Sequence, residues 1–299
     1  MHIPVLEREL LDFLMPARGD NFIDCTLGEG GHAESLLKKT ALRNKSIAYG
    51  GKLIGIEWDK NLAEVARNNL SQFGKRTIII NDSYANLAKI FVDSQFPLTI
   101  KGIYFDLGVC LWHYRKAERG FSFRKAEPLD MRFSTNILNK ACDIVNRQGV
   151  SEIEKILRDY GEISRAHEIA QAIVVSRRQH LIQTTQDLTS LINDLPASLK
   201  NREKNLIRKV FQALRIAVNQ ELDNLQRGLK QAVDILANNG IIAVISYHSL
   251  EDRIVKRFFE NHHQLKIITQ KPIKPSLLER RFNPSARSAK LRVAIKHSL

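Results

Sequence analysis

Cysteine is scarce in this chain: three in 299 residues, Cys25, Cys110 and Cys142, with no C-x-x-C pair and an odd count. That excludes a disulfide framework and argues against a zinc site, so no metal is expected and a reducing compartment, the cytoplasm, is. Long apolar runs are also lacking. None approaches the roughly 18 residues that a spanning helix requires. The opening MHIPVLERELLDFL alternates charge with apolar residues at helical spacing and has no signal-peptide core, so no membrane association is expected. Internal repeats and low-complexity tracts are absent, and no G-x-S-x-G elbow precedes Ser246, His248 and Asp252, which gives hydrolysis little support. Acids are few beside bases: 32 Asp and Glu against 46 Lys and Arg leave a net charge of +14. Such an excess favours a polyanionic partner, nucleic acid ahead of membrane, over the plain alternative of a merely soluble basic protein. With 43% hydrophobic residues the chain can bury a real core, as one large or two medium domains.

Asn21–His32, reading NFIDCTLGEGGH, is the stretch around which the rest is organised. Phe22 and Ile23 read as a buried strand end. Gly28, Gly30 and Gly31 allow a sharp turn and close approach to a ligand, and Ala33–Lys39 opens a helix whose free N–H groups face it. A second apolar run, Leu53–Glu57, reads as a strand and also ends in an acid, where ribose hydroxyls are usually accepted. A helix over Asn61–Phe73, a strand over Thr77–Ile80, a helix over Leu87–Val92 and a strand over Lys101–Asp106 follow. This βαβα run predicts a parallel sheet with its ligand beyond the carboxyl ends of the strands, where Asp24, Glu57, Asp82 and Asp106 collect.

After Asp106 the alternation stops. Residues 145–199 read as helices only, with Ser151–Tyr160 and His167–Val175 amphipathic and Pro196 closing a segment of short capped helices. Phe211–Leu236 reads as one long amphipathic helix leading back to the strand Gly240–Ser246. Ser249 and Asp252 fit an [ST]-x-x-[DE] helix cap. From His262 on, nine cations face the single acid Glu279, an excess that suggests a phosphate backbone.

Eight motifs in order carry a resemblance: HIPVL from His2, DCTLGEGGH from Asp24, DLGV from Asp106, RGFSF from Arg119, PLDMR from Pro128, FQALRI from Phe211, VISYHSLEDR from Val244 and RSAKLR from Arg287. Together they resemble the bacterial RsmH (MraW) family. The resemblance implies an α/β, Rossmann-like class I S-adenosylmethionine methyltransferase with an inserted helical domain. It implies residues 1–110 as the first part of the methyltransferase domain, 111–210 as the substrate-recognition insertion and 211–299 as the second part with a basic C-terminal segment. The implied substrate is the exocyclic N4 of a cytosine in the decoding region of 16S rRNA, free or in the small ribosomal subunit, and a homodimer is possible.

Carried over by matching position, the resemblance implies cofactor contacts at Gly30, Gly31, His32, Glu57, Tyr84 and Asp106. Glu57 stands where the family usually has Asp. His113 stands in place of a cofactor-contacting Gln, because the family's DLGVSSPQLD is here DLGVCLWHYR. Methylating an amine whose lone pair is delocalised into a ring requires alignment and an acceptor for the amino hydrogen. Asp106 is the first candidate, since carboxylates pair with cytosine N4. His248 is the second, and Tyr247 is placed to stack on a base taken out of its helix. Two other classes stay open: a non-catalytic RNA-binding assembly factor that keeps the fold, and an NAD dehydrogenase using the glycine turn.

Overall fold

The computed structural model describes residues 4–42, 46–47, 49–96, 99–200 and 204–297, so His2 and Ile3 of the first motif lie outside the described residues. In chain order, α1 (Glu7–Leu14), β1 (Phe22–Asp24), α2 (Gly31–Lys39), β2 (Leu53–Ile56), α3 (Lys60–Asn69), β3 (Thr77–Ile80), α4 (Leu87–Asp93) and β4 (Gly102–Asp106) alternate. Helices only follow: α5 (Leu111–Lys116), α6 (Ala141–Arg147), α7 (Val150–Gly161), α8 (Ala166–Ser176), α9 (Thr185–Asp194), α10 (Ala197–Lys200) and α11 (Leu206–Asn219). The chain closes with α12 (Glu221–Ile235), β5 (Ile241–Ser246), α13 (Ser249–Asn261), β6 (Leu265–Ile267), α14 (Leu277–Phe282) and β7 (Lys290–Lys296). It divides into two compact units. One is discontinuous, built from residues up to Gly108 and from Leu222 on; the other is Val109–Glu221.

The discontinuous unit is a seven-stranded sheet in the order β3-β2-β1-β4-β5-β7-β6. Strands β1 to β5 are parallel, and β7 runs antiparallel to both β5 and β6. The central strands are buried on both faces, as their continuous apolar sequences require. Side chains alternate between two cores. Ile23, Ile54, Phe105 and Val244 pack with Leu225, Leu229 and Val233 of α12, while Phe22, Leu53, Tyr104 and Ile245 pack with Leu10 and Leu14 of α1 and Leu36 and Leu37 of α2. Strand order reverses between β1 and β4. The turn after β1 and the residues after β4 therefore border one crevice.

The inserted unit is helical. Ile153 and Leu157 of α7, Ile169 and Ile173 of α8, Leu188 and Ile192 of α9 and Val210 and Leu214 of α11 form its core. Thr184 and Asp187 make a reciprocal capping box at the start of α9. Asp130 holds Arg132 through two bonds of 2.7 and 2.9 Å.

The single helix expected over Phe211–Leu236 is two. Gln220 adopts a left-handed conformation (φ 49°) and ends α11. The preceding Asn219 is fully buried; its Oδ1 accepts from Phe133 N at 2.8 Å and its Nδ2 donates to Met131 O at 2.8 Å. Hydrophobic spacing runs through the break because both helices are amphipathic, and the polar pair Asn219-Gln220 marks it. Helix α11, expected on the return path, belongs to the inserted unit.

The basic C-terminal segment is more than a charged tail, since it supplies β6 and β7. Lys290 and Arg292 bind Asp252 at 3.0 and 2.6 Å, and Lys296 Nζ donates to Val233 O and Leu236 O at the end of α12.

Candidate active site

Asp24 ends β1 and is buried. Its Oδ1 accepts from Thr26 N at 3.0 Å and its Oδ2 from the Tyr104 hydroxyl at 2.6 Å. The chain then turns through Gly28 (φ 56°) and Gly30 (φ 90°). At Gly30 a Cβ would lie 3.0 Å from the Leu70 side chain, beyond the strain of the left-handed backbone itself. Gly31 opens α2 directly after this turn, with no side-chain cap at Gly30, at the helix end where the first N–H groups have no intrahelical partner.

Glu57 follows β2 and curls back beneath the glycine turn. Its Oε2 accepts from Gly28 N at 2.9 Å and its Oε1 from Asp59 N at 2.8 Å. Burial pushes its carboxyl up to about 7 against these two hydrogen bonds. Burial likewise raises Asp24 to about 6, opposed by the bonds from Tyr104 and Thr26. Both groups resist ionisation, and the neighbouring acids Asp59 and Asp106 add to that resistance. Asp82, the acid after β3, instead caps its own turn through Ser83 N and Asn86.

Asp106 ends β4. Thr26 Oγ1 accepts from its backbone N–H at 2.6 Å, which ties the ends of β1 and β4 together. Asp106 Oδ1 accepts from the Tyr247 hydroxyl at 2.7 Å, and Oδ2 lies 3.6 Å from His32 Nδ1. Burial first, then the Asp106 charge, pushes the Tyr247 phenol well above its ordinary range, so it stays a donor. His32 is buried, with Nε2 2.9 Å from Val5 O. At Gly108 (φ 110°) a Cβ would approach the Tyr247 ring to 2.9 Å.

The structure thus brings Gly30, Gly31, His32, Glu57, Asp106 and Tyr247 to one edge of the sheet. Tyr84 packs edge-on against Phe105, with ring centroids 5.5 Å apart. His113 belongs to the inserted unit, where its buried ring meets Trp112, Phe121 and Phe133 at 5.0 to 5.4 Å. His248 caps α13. Its Nδ1 accepts from Glu251 N, while Glu251 Oε2 accepts from the backbone of Tyr247 and His248.

The cap is therefore His248 with Glu251, one residue before the pair expected from the Ser249 motif. Asp252 turns away to Lys290 and Arg292, so Ser246, His248 and Asp252 form no hydrolytic triad. Sequence reasoning misses Thr26, Tyr104 and Glu251 as parts of the site. The signal for Glu251 is its place three residues after a possible capping residue; Thr26 and Tyr104 act through pairings distant in sequence and leave none.

A sheet of this order, parallel except for β7, with a glycine turn and acids at the switch point, defines a Rossmann-like methyltransferase. Within that class the chain belongs to the MraW methylase family, whose profile matches residues 1–297. It is 44% identical over 297 residues to the ribosomal RNA small subunit methyltransferase H of Persephonella marina, which covers 98% of each chain. The protein of the same name from a Sulfurihydrogenibium species is 41% identical over 296 residues, again with 98% of each covered. That of Thermotoga neapolitana is 39% identical over 297 residues, covering 98% of this chain and 95% of the relative.

Proposed function

We propose that this chain methylates the exocyclic N4 of a cytosine in the decoding region of 16S rRNA, with S-adenosylmethionine as cofactor. The observation that carries the reading is the acidic crevice. Asp24, Glu57 and Asp106 gather at the switch point, two of them with raised pKa values of about 6 and 7. A bound cation relieves that unfavourable charge, whereas the pyrophosphate of a dinucleotide would add to it. S-adenosylmethionine fits, because it carries a sulfonium and supplies from it an electrophilic methyl group.

The turn of Gly30 and Gly31 leaves space and backbone donors for the cofactor. Glu57 accepts from the ribose hydroxyls through lone pairs beyond those facing Gly28 and Asp59. Tyr84 and His32 line or brace that pocket. Asp106 serves the nitrogen side. Tyr247 donates to one of its oxygens, and the carboxylate accepts from the cytosine amine as it becomes tetrahedral. His248 acts by capping α13, which positions Tyr247.

The inserted unit and the basic C-terminal segment recognise RNA in this reading. The substrate, ribosomal RNA, sets the cytoplasm as the place of work, and no described helix is long and apolar enough to cross a membrane. Its expected assembly is a homodimer, checked by sedimentation. Calorimetry with S-adenosylmethionine, paired with mass spectrometry of small-subunit rRNA from cells with and without the gene, tests the whole. Cofactor binding with loss of one cytosine methyl mark supports it, and an unchanged methylation pattern refutes it.

A further inference from the structure

Beside Tyr247, on the same unit as the acidic crevice, lies a cleft of about 350 Å³. Its walls include Tyr247, His248, Ser249, Lys274, Arg280, Arg287 and Lys290. The charge is one-sided. Lys290 is neutralised by Asp252 at 3.0 Å, but no carboxylate among the described residues pairs with Lys274, Arg280 or Arg287. The nearest acid in sequence, Glu279, is occupied: its Oε1 accepts from Leu6 N at 2.8 Å.

The arginines are also oriented. Arg280 Nε donates to Pro275 O at 2.9 Å and Arg287 Nε to Arg280 O at 3.5 Å. Those bonds leave the terminal nitrogens of both forks for a ligand. Ser249 opens the 13-residue helix α13, so the positive end of a helix dipole adds to the cleft. Cations, a helix start and polar walls together select an oxyanion with several acceptor oxygens.

We propose that this cleft is a phosphate subsite. It takes a backbone phosphodiester of the RNA strand next to the nucleotide whose base reaches Asp106. Placement supports that assignment, since the ring of Tyr247 lines the cleft while its hydroxyl binds Asp106 at 2.7 Å. One aromatic side chain therefore separates anion site from acceptor, the scale of a single nucleotide. The proposal rests on the RNA-methylating function and adds to it the group that sets the register of the strand.

The test uses the full chain and a short single-stranded RNA carrying one target cytosine, with each phosphodiester in turn replaced by an uncharged methylphosphonate. In the wild type, neutralising one linkage beside the cytosine is expected to weaken binding about tenfold, the scale of one charge-assisted hydrogen bond. In the Arg280→Ala, Arg287→Ala double variant the same replacement should cost nothing further. The salt slope should also fall by about 0.7 for each phosphate that the variant no longer neutralises. Arg287→Ala alone, which changes an exposed side chain, repeats the measurement if the double variant misfolds. Should RNA be bound and methylated while no linkage is sensitive, or while the penalty persists in the variants, the subsite is wrong and the activity stands. If the wild type with S-adenosylmethionine neither binds nor methylates any RNA, both fall.

Discussion

The raised pKa of Glu57 makes a prediction about stability that needs no substrate. Its carboxyl titrates near 7 in the fold, against an ordinary value of 4.5. Between those pH values the folded chain keeps a proton that the unfolded chain has lost. The sign follows: because the folded pKa is raised, the contribution is fully present below about pH 4.5 and is lost as pH rises through 7. Its size is about 3 kcal/mol, at about 1.4 kcal/mol for each tenfold change in proton affinity.

Other groups titrate over the same window, so Glu57→Gln serves as the reference. The unfolding free energy from urea denaturation at pH 4.5, 5.5, 6.5 and 7.5 is measured for both proteins, and the difference is plotted against pH. Wild type minus Glu57→Gln should fall by about 3 kcal/mol from the lowest pH to the highest. Saturating S-adenosylmethionine should shift the fall to lower pH, because a nearby cation favours the carboxylate. A difference that does not change with pH would refute both the desolvated carboxyl and the electrostatic case for a cationic cofactor.

Asp106→Asn should lower the single-turnover methylation rate by about two to three orders of magnitude with cofactor affinity nearly unchanged; near-normal turnover at saturating cofactor would remove Asp106 from the chemistry. Gly108→Ala places a Cβ 2.9 Å from the Tyr247 ring at a φ of 110°, and a loss of about 1–3 kcal/mol in thermal denaturation is expected, with activity down more than tenfold. Asp252→Ala strands Lys290 and Arg292, and with Arg292 buried about 3 kcal/mol of stability should disappear. A stable Asp252→Ala protein with no activity would reopen a catalytic role for Asp252.

Much of the sheet was legible because its strands carry continuous apolar runs ending in acids. The strand end at Phe22 and Ile23 and the strands expected over Leu53–Glu57, Thr77–Ile80 and Lys101–Asp106 are observed at Phe22–Asp24, Leu53–Ile56, Thr77–Ile80 and Gly102–Asp106. Strand β7 was hidden: Lys290, Arg292 and Lys296 read as tail charge, yet two of them anchor to Asp252 and one to the end of α12. Long side chains with buried stems and satisfied heads look the same in sequence as solvated ones. The break at Gln220 was hidden for another reason, since a helix end made by an inward-turned Asn219 depends on Met131 and Phe133, far back in the chain. At the site, residue types were legible and their partners were not. Tyr247 reads as a stacking platform, but its hydroxyl is committed to Asp106 across 141 positions.

The split of the sheet-bearing unit around Val109–Glu221 has a consequence for how the protein is born. Strand β4 pairs with β5 along its length from Gly102 to Asp106, and β5 is synthesised more than a hundred residues later. Until then β4 presents an open edge of Ile103, Tyr104 and Phe105, a template for pairing with another chain. The inserted unit, continuous and helical, is complete well before that edge is closed. Its local contacts form rapidly. Emerging from the ribosome, the chain thus carries a finished helical body and an unfinished sheet, and the interval before β5 arrives is its time of greatest exposure to aggregation.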